Sequence, residues 1–145
     1  MPIATCRPLT GLAEAAPVAD RFAALVAFAL ALPGAVAMYD RRGRVAAIAL
    51  RDGDALGPAD AFFENGSFLR RDPARGDSLE VILPEALWRR AVMTRLARVT
   101  WTTDLHATSR ATRLDPPADP MGRRALEDLI EGAWAYARGL WSVFE

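Results

Sequence analysis

The chain carries one histidine, His106, in the stretch "TWTTDLHATSR". Asp104 lies two residues before it, so on a strand the two side chains would leave the same face. A carboxylate beside an imidazole orients the ring and raises its pKa, which is how general bases are held. With Thr108 or Ser109 alongside, Asp104 and His106 outline a small hydrolytic site. No Gly-x-Ser-x-Gly elbow is present to offer a nucleophile. A turn at Asp104-Leu105 is the plainer alternative, and it would let the pair diverge. A metal centre would need distant carboxylates such as Asp40 or Glu64 beside the one imidazole. No ligand spacing supports that, so no metal site and no cofactor is predicted. Cys6 is the only cysteine, which rules out an intramolecular disulfide and fits a reducing compartment. Beside Arg7 it has the setting of a reactive thiol, but no second cysteine could resolve an oxidised form.

Arginine supplies every basic side chain; lysine and glutamine are missing, while alanine is abundant. That composition reads as codon usage in a GC-rich bacterial genome, so arginine clusters carry less information than usual. They nonetheless recur at hairpin tips: Arg41, Arg42 and Arg44 in one, Arg70, Arg71 and Arg75 in another. Arg41, Arg42 and Arg44 are the candidates for binding an anion. Asp40, Asp52, Asp72 and Asp77 interleave with these groups, and a self-neutralised surface is the competing account. No aromatic side chains alternate with the arginines as single-strand binders require. The 18 basic and 18 acidic residues cancel, so no net field draws the protein to nucleic acid.

Aromatic residues offer two further sites. Phe62, Phe63, Phe68, Trp88 and Trp101 are placed to line an apolar pocket between sheet and helices. At the C-terminus, "RRALEDLIEGAWAYARGLWSVF" holds an apolar stripe over about five helical turns. Trp134, Trp141 and Phe144 fall on that stripe, with Tyr136 just off it. The stripe caps the sheet, and its far end is expected to form a homodimer seam, because aromatic anchors dominate interface energetics.

The elements that must carry these residues follow from patterning. Residues 1–16 form an irregular lead-in broken by Pro2, Pro8 and Gly11, and residues 17–145 form one α+β domain. Pro17 opens a helix with Phe22, Leu25, Val26, Ala29 and Leu32 on one face, ended by Pro33-Gly34. This apolar run is too short to span a bilayer, and its flanks do not suit a signal peptide. A cytoplasmic protein without membrane contact is expected. "GAVAM" and "VAAIAL" then form a hairpin around Asp40-Gly43, and their unbroken apolarity predicts strands near the sheet centre. "PADAFFEN" reads as one or two helical turns. "SFLRR" and "SLEVILP" form a second hairpin, and "PEALWRRAVMTRLARV" a second long helix. "VTWTTD" and "HATSRATRL" suggest a third strand pair.

This order predicts an antiparallel sheet built from hairpins, helices packed mainly on one face, and a long amphipathic C-terminal helix. The stretch "LPGAVAMYDRRGRV", about a tenth of the chain, resembles the helix-then-hairpin opening of GAF, PAS and roadblock-type sensory folds. The segment 52–83 departs from the compact roadblock pattern. Catalytic residue types are scarce and aromatics plentiful. The sequence therefore favours a non-catalytic regulatory or small-ligand-sensing domain that self-associates and takes a small apolar ligand. An assembly factor using the C-terminal aromatic helix is the first alternative. A small enzyme built on Asp104 and His106 is the second.

Overall fold

A computed structural model describes residues 22–72, 78–93, 109–114 and 120–141. Cys6, Trp101, Asp104, His106, Phe144, the lead-in 1–16 and the proposed strand "VTWTTD" lie outside the described residues. Among these residues five strands form one antiparallel sheet in chain order: β1 (Ala35–Tyr39), β2 (Val45–Leu50), β3 (Ser67–Asp72), β4 (Ser78–Pro84) and β5 (Ser109–Leu114). Among the described residues three helices accompany the sheet in an α+β arrangement: α1 (Ala23–Leu30), α2 (Glu85–Met93) and α3 (Pro120–Ala137). The segment read as one or two helical turns is a single 3-10 turn, Ala59–Ala61.

Ladder register fixes which side chains share a face. Ile48, Leu69, Val81 and Thr112 form one rung across β2–β5, and Ala47, Arg70, Glu80 and Arg113 form the next, on the opposite face. The helices cover the Val81 side. Arg71, in phase with Leu69, meets the ring of Phe22 at the start of α1. Arg110, in phase with Thr112, lies over the ring of Trp88 on α2. α3 runs between the two, touching both helices and strands β3 and β4. Leu69, Leu79, Val81, Leu83, Leu114 and Ile130 are fully or almost fully buried in this layer. Each such side chain stabilises the fold by about 1.5–3 kcal/mol.

The alanine-rich hairpin does not sit at the centre. β1 is the outermost strand of the described sheet, with Val36 40 % and Tyr39 66 % exposed. β2 and β4 flank the central β3 alike, yet β4 is buried at every residue while β2 is buried only at Ala47, Ile48 and Leu50. Alanine is apolar but removes little area from water, so a run of it marks a strand without forcing that strand inward.

α3 also departs from expectation at its end. The buried face, Leu126, Leu129, Ile130, Ala133 and Ala137, follows the predicted stripe, and Tyr136 joins it as a buried residue. The helix stops at Ala137, not at Phe144. Gly139 takes φ +80°, its N–H donates to Tyr136 O at 3.1 Å, and Leu140 N–H donates to Ala135 O at 2.8 Å. This pair of bonds is a Schellman cap, which glycine permits because it lacks a Cβ. A further carbonyl at this end, Ala137 O, accepts from Gly57 N–H at 2.8 Å. A side chain at Gly57 would run into the Tyr136 carbonyl oxygen, so glycine allows the close approach. Trp134 Nε1–H donates to Pro33 O at 2.9 Å, and Arg138 reaches Asp54 at 3.5 Å. The segment after β2 thus seals the end of α3, and Trp134 ties α3 to the end of α1.

Candidate functional site

The first hairpin ends in a turn held by its own aspartate. Asp40 Oδ1 accepts from the backbone N–H of Arg42 at 2.8 Å and of Arg44 at 3.0 Å. Asp40 N–H donates to Arg44 O at 2.8 Å, and Gly43 N–H to Asp40 O at 3.0 Å. Gly43 stands at φ +81°. Bonding from the Arg44 backbone, aided by that of Arg42 and by the Arg44 guanidinium, holds the Asp40 carboxyl below its ordinary range despite some desolvation. Asp40 Oδ2 also lies 3.5 Å from Arg44 Nε. Arg44 is therefore steered through its Nε, and its terminal Nη groups have no partner among the described residues.

Arg44 stands at the edge of a cleft of about 250 Å³ between α1 and the sheet. The helix contributes Ala23, Val26, Ala27 and Leu30, and the sheet contributes Val45 and Arg71. α1 is apolar all round, which gives it two uses. Leu25, Val26 and Ala29 are buried, whereas Ala23 and Ala27 remain exposed at the cleft. Small alanines on that side leave the space open. Arg71 is half-buried at the other wall, 5.8 Å from the centroid of the Phe22 ring. The cleft thus joins an apolar floor to two guanidinium groups.

Of the residues expected to bind an anion, only Arg44 lines this cleft. Arg41 and Arg42 are exposed at the tip. Arg71 belongs to a different hairpin, and nothing in the sequence pattern links it to Arg44. Register supplies the link, since Ala47 pairs with Arg70 and so sets Arg71 near the start of β2. Elsewhere arginines meet carboxylates: Arg70 with Glu80 at 2.8 Å, Arg123 with Glu127 at 3.8 Å and Arg124 with Asp128 at 3.5 Å. Arg89 and Arg110 both contact Glu85.

The aromatic residues assigned to a pocket are distributed through the packing. Phe63 and Phe68 are buried in the core, and Phe62 and Trp88 pack against it half-buried. The Phe63 ring lies 4.1 Å from the Arg70 guanidinium. Trp88 Nε1 is buried without a hydrogen-bond partner among the described residues. None of these four lines the α1 cleft. Of the residues assigned to a dimer seam, Trp134 is committed within the chain through Pro33, and Trp141 packs half-buried against the core beyond the helix. Leu140 between them is 60 % exposed.

Among the described residues, no three His, Cys, Asp or Glu side chains gather as metal ligands would. No helix among them is long and apolar enough to cross a membrane. The chain matches no protein-family model, no curated protein and no solved structure. The likeness of the hairpin to sensory folds gains no support from those comparisons.

Proposed function

We propose that this chain is a non-catalytic ligand-binding domain of the regulatory or sensing kind, with the α1 cleft as its binding site. The observation that carries this reading is the cleft itself, where exposed alanines of α1 leave an apolar recess beside Arg44 and Arg71. Small-molecule sites are concave and largely apolar, with a few polar groups that set orientation. A thermal-shift screen of small neutral, anionic and cationic compounds tests it. A ligand at 100 times its Kd stabilises the folded state by about 2.7 kcal/mol. At least one compound should raise the melting temperature of the native protein, and Ala27→Phe, which fills the recess, should abolish the shift. Shifts that survive Ala27→Phe, or a screen without any, would refute the assignment.

Self-association through the end of α3 is a second reading, carried by Leu140, exposed beside the half-buried Trp141. Analytical ultracentrifugation should then give a dimer for the native chain and a monomer for Leu140→Glu. A native monomer removes this reading.

A further inference from the structure

We infer that the α1 cleft takes a small amphipathic monocarboxylate, its acid group meeting Arg44 and its apolar chain lying along α1. The inference rests on the binding role proposed above and adds the chemical class. Three features of the site select it.

The donors come from side chains. At the hairpin tip, the backbone N–H groups of Arg42 and Arg44 are both spent on Asp40 Oδ1. No backbone nest of the kind that cradles phosphate is left there. Recognition of an anion falls to guanidinium groups, whose planar fork matches a carboxylate in two parallel bonds. Asp40 holds the Nε side of Arg44, so the Nη groups are the ones presented.

The local charge favours one negative charge over two. Arg44 lines the cleft, and the Asp40 carboxylate stands 3.5 Å from its Nε. Asp40 offsets part of the positive potential and repels a dianion more than a monoanion.

Floor and size set the rest of the molecule. Ala23, Val26, Ala27, Leu30 and Val45 offer no side-chain hydrogen bond, so the remainder of the ligand is hydrocarbon. The volume of about 250 Å³ equals the liquid share of about eight water molecules. That suits a medium-chain or phenyl-substituted acid.

The test is an NMR titration of the full chain with octanoate, octan-1-ol, octylamine and octyl phosphate, each below its micellar concentration. Octanoate should give saturable shifts at Ala23, Ala27 and Val45, with octan-1-ol about tenfold weaker, the worth of a charge-assisted hydrogen bond pair near a surface. Arg44→Gln should weaken octanoate by a similar factor and leave octan-1-ol unchanged. Ala27→Phe should abolish both. Both substitutions fall at exposed positions, and an unchanged native spectrum confirms the fold. Equal affinity for octanoate and octan-1-ol, or no effect of Arg44→Gln, overturns the carboxylate while the binding cleft stands. Tighter binding of octyl phosphate or octylamine overturns the monoanion in the same way. Octanoate binding that survives Ala27→Phe overturns the location, and no binding by any of the four overturns the inference together with the medium-chain site.

Discussion

The hairpin β1–β2 and the strand β4 look alike in hydropathy and behave differently in the fold. "AVAMY" and "VAAIAL" contain no charged residue, yet β1 lies outermost in the described sheet and exposes Val36 and Tyr39. "SLEVILP" contains Glu80 and is buried throughout. The difference lies in volume. β4 presents Leu79, Val81 and Leu83 to the helices and Ile82 to the other face, while five of the eleven strand residues of the hairpin are alanine and only Ile48 and Leu50 are large buried side chains. Burial follows the area a side chain can withdraw from water, not the count of apolar letters. A strand that demands little burial, as β1 does, can stand at the edge and face solvent.

The comparison predicts where truncation hurts most. Ile82 is fully buried on the face opposite the helices. Ile82→Ala should cost about 2–5 kcal/mol in chemical denaturation, the range for large-to-small changes in a close-packed core. A loss under 1 kcal/mol would mean that the second face of β4 is not packed, and the contrast with β1 would disappear.

Glu80 sharpens the same point, because a charged residue survives in the most buried strand. Its side chain is only 4 % exposed and is met by Arg70 Nε at 2.8 Å, with Phe63 against the guanidinium. Removing one partner of such a pair strands the other. Glu80→Ala should therefore cost about 2–4 kcal/mol, somewhat below a fully buried pair because Arg70 retains solvent contact. Arg70→Ala combined with Glu80→Ala should cost less than the sum of the two single changes. Strict additivity would show that the pair is not coupled.

These cases show what could be read from the residues. Hairpins, the antiparallel class and the buried stripe of α3 were legible because period and turn chemistry are local signals. Strand position was not, since the order of strands depends on which side chains fill the space between layers. The early stop of α3 had a signal in Gly139, overridden by the aromatic spacing of Trp141 and Phe144. The cleft was half legible. Turn chemistry accounts for Asp40 and Gly43, and Arg44 stood among the anion candidates, but its partnership with Arg71 arises from register between β2 and β3. The pocket expected of Phe62, Phe63, Phe68, Trp88 and Trp101 drew on aromatic content alone. Aromatic mass near a sheet most often becomes packing, as Phe63 and Phe68 do.

At the outer strand the expected effect is small. Val36→Ala removes two methyl groups from a side chain 40 % exposed on β1. It should shift stability by no more than about 0.5 kcal/mol, as surface substitutions do. A loss comparable with that of Ile82→Ala would show that another chain or segment covers β1.

The smallest effect belongs to the tip, and it depends on pH. The Asp40 carboxyl is held below its ordinary value, about 3.8, chiefly by the backbone N–H of Arg44. In the unfolded chain these bonds are lost and the group returns to that ordinary value. The depressed folded value means that the native state holds its proton less tightly than the unfolded state does. The contribution to stability is therefore complete above the ordinary value and is lost as pH falls through the lower folded value. An NMR titration should show the Asp40 carboxyl changing state at a pH below that of an unstructured aspartate. Asp40→Asn should flatten the part of the acid limb that this group supplies. At neutral pH the same substitution removes the carboxylate charge that meets Arg44 Nε. An Asp40 titration at or above the ordinary aspartate value would mean that the tip is not the ordered turn that positions Arg44.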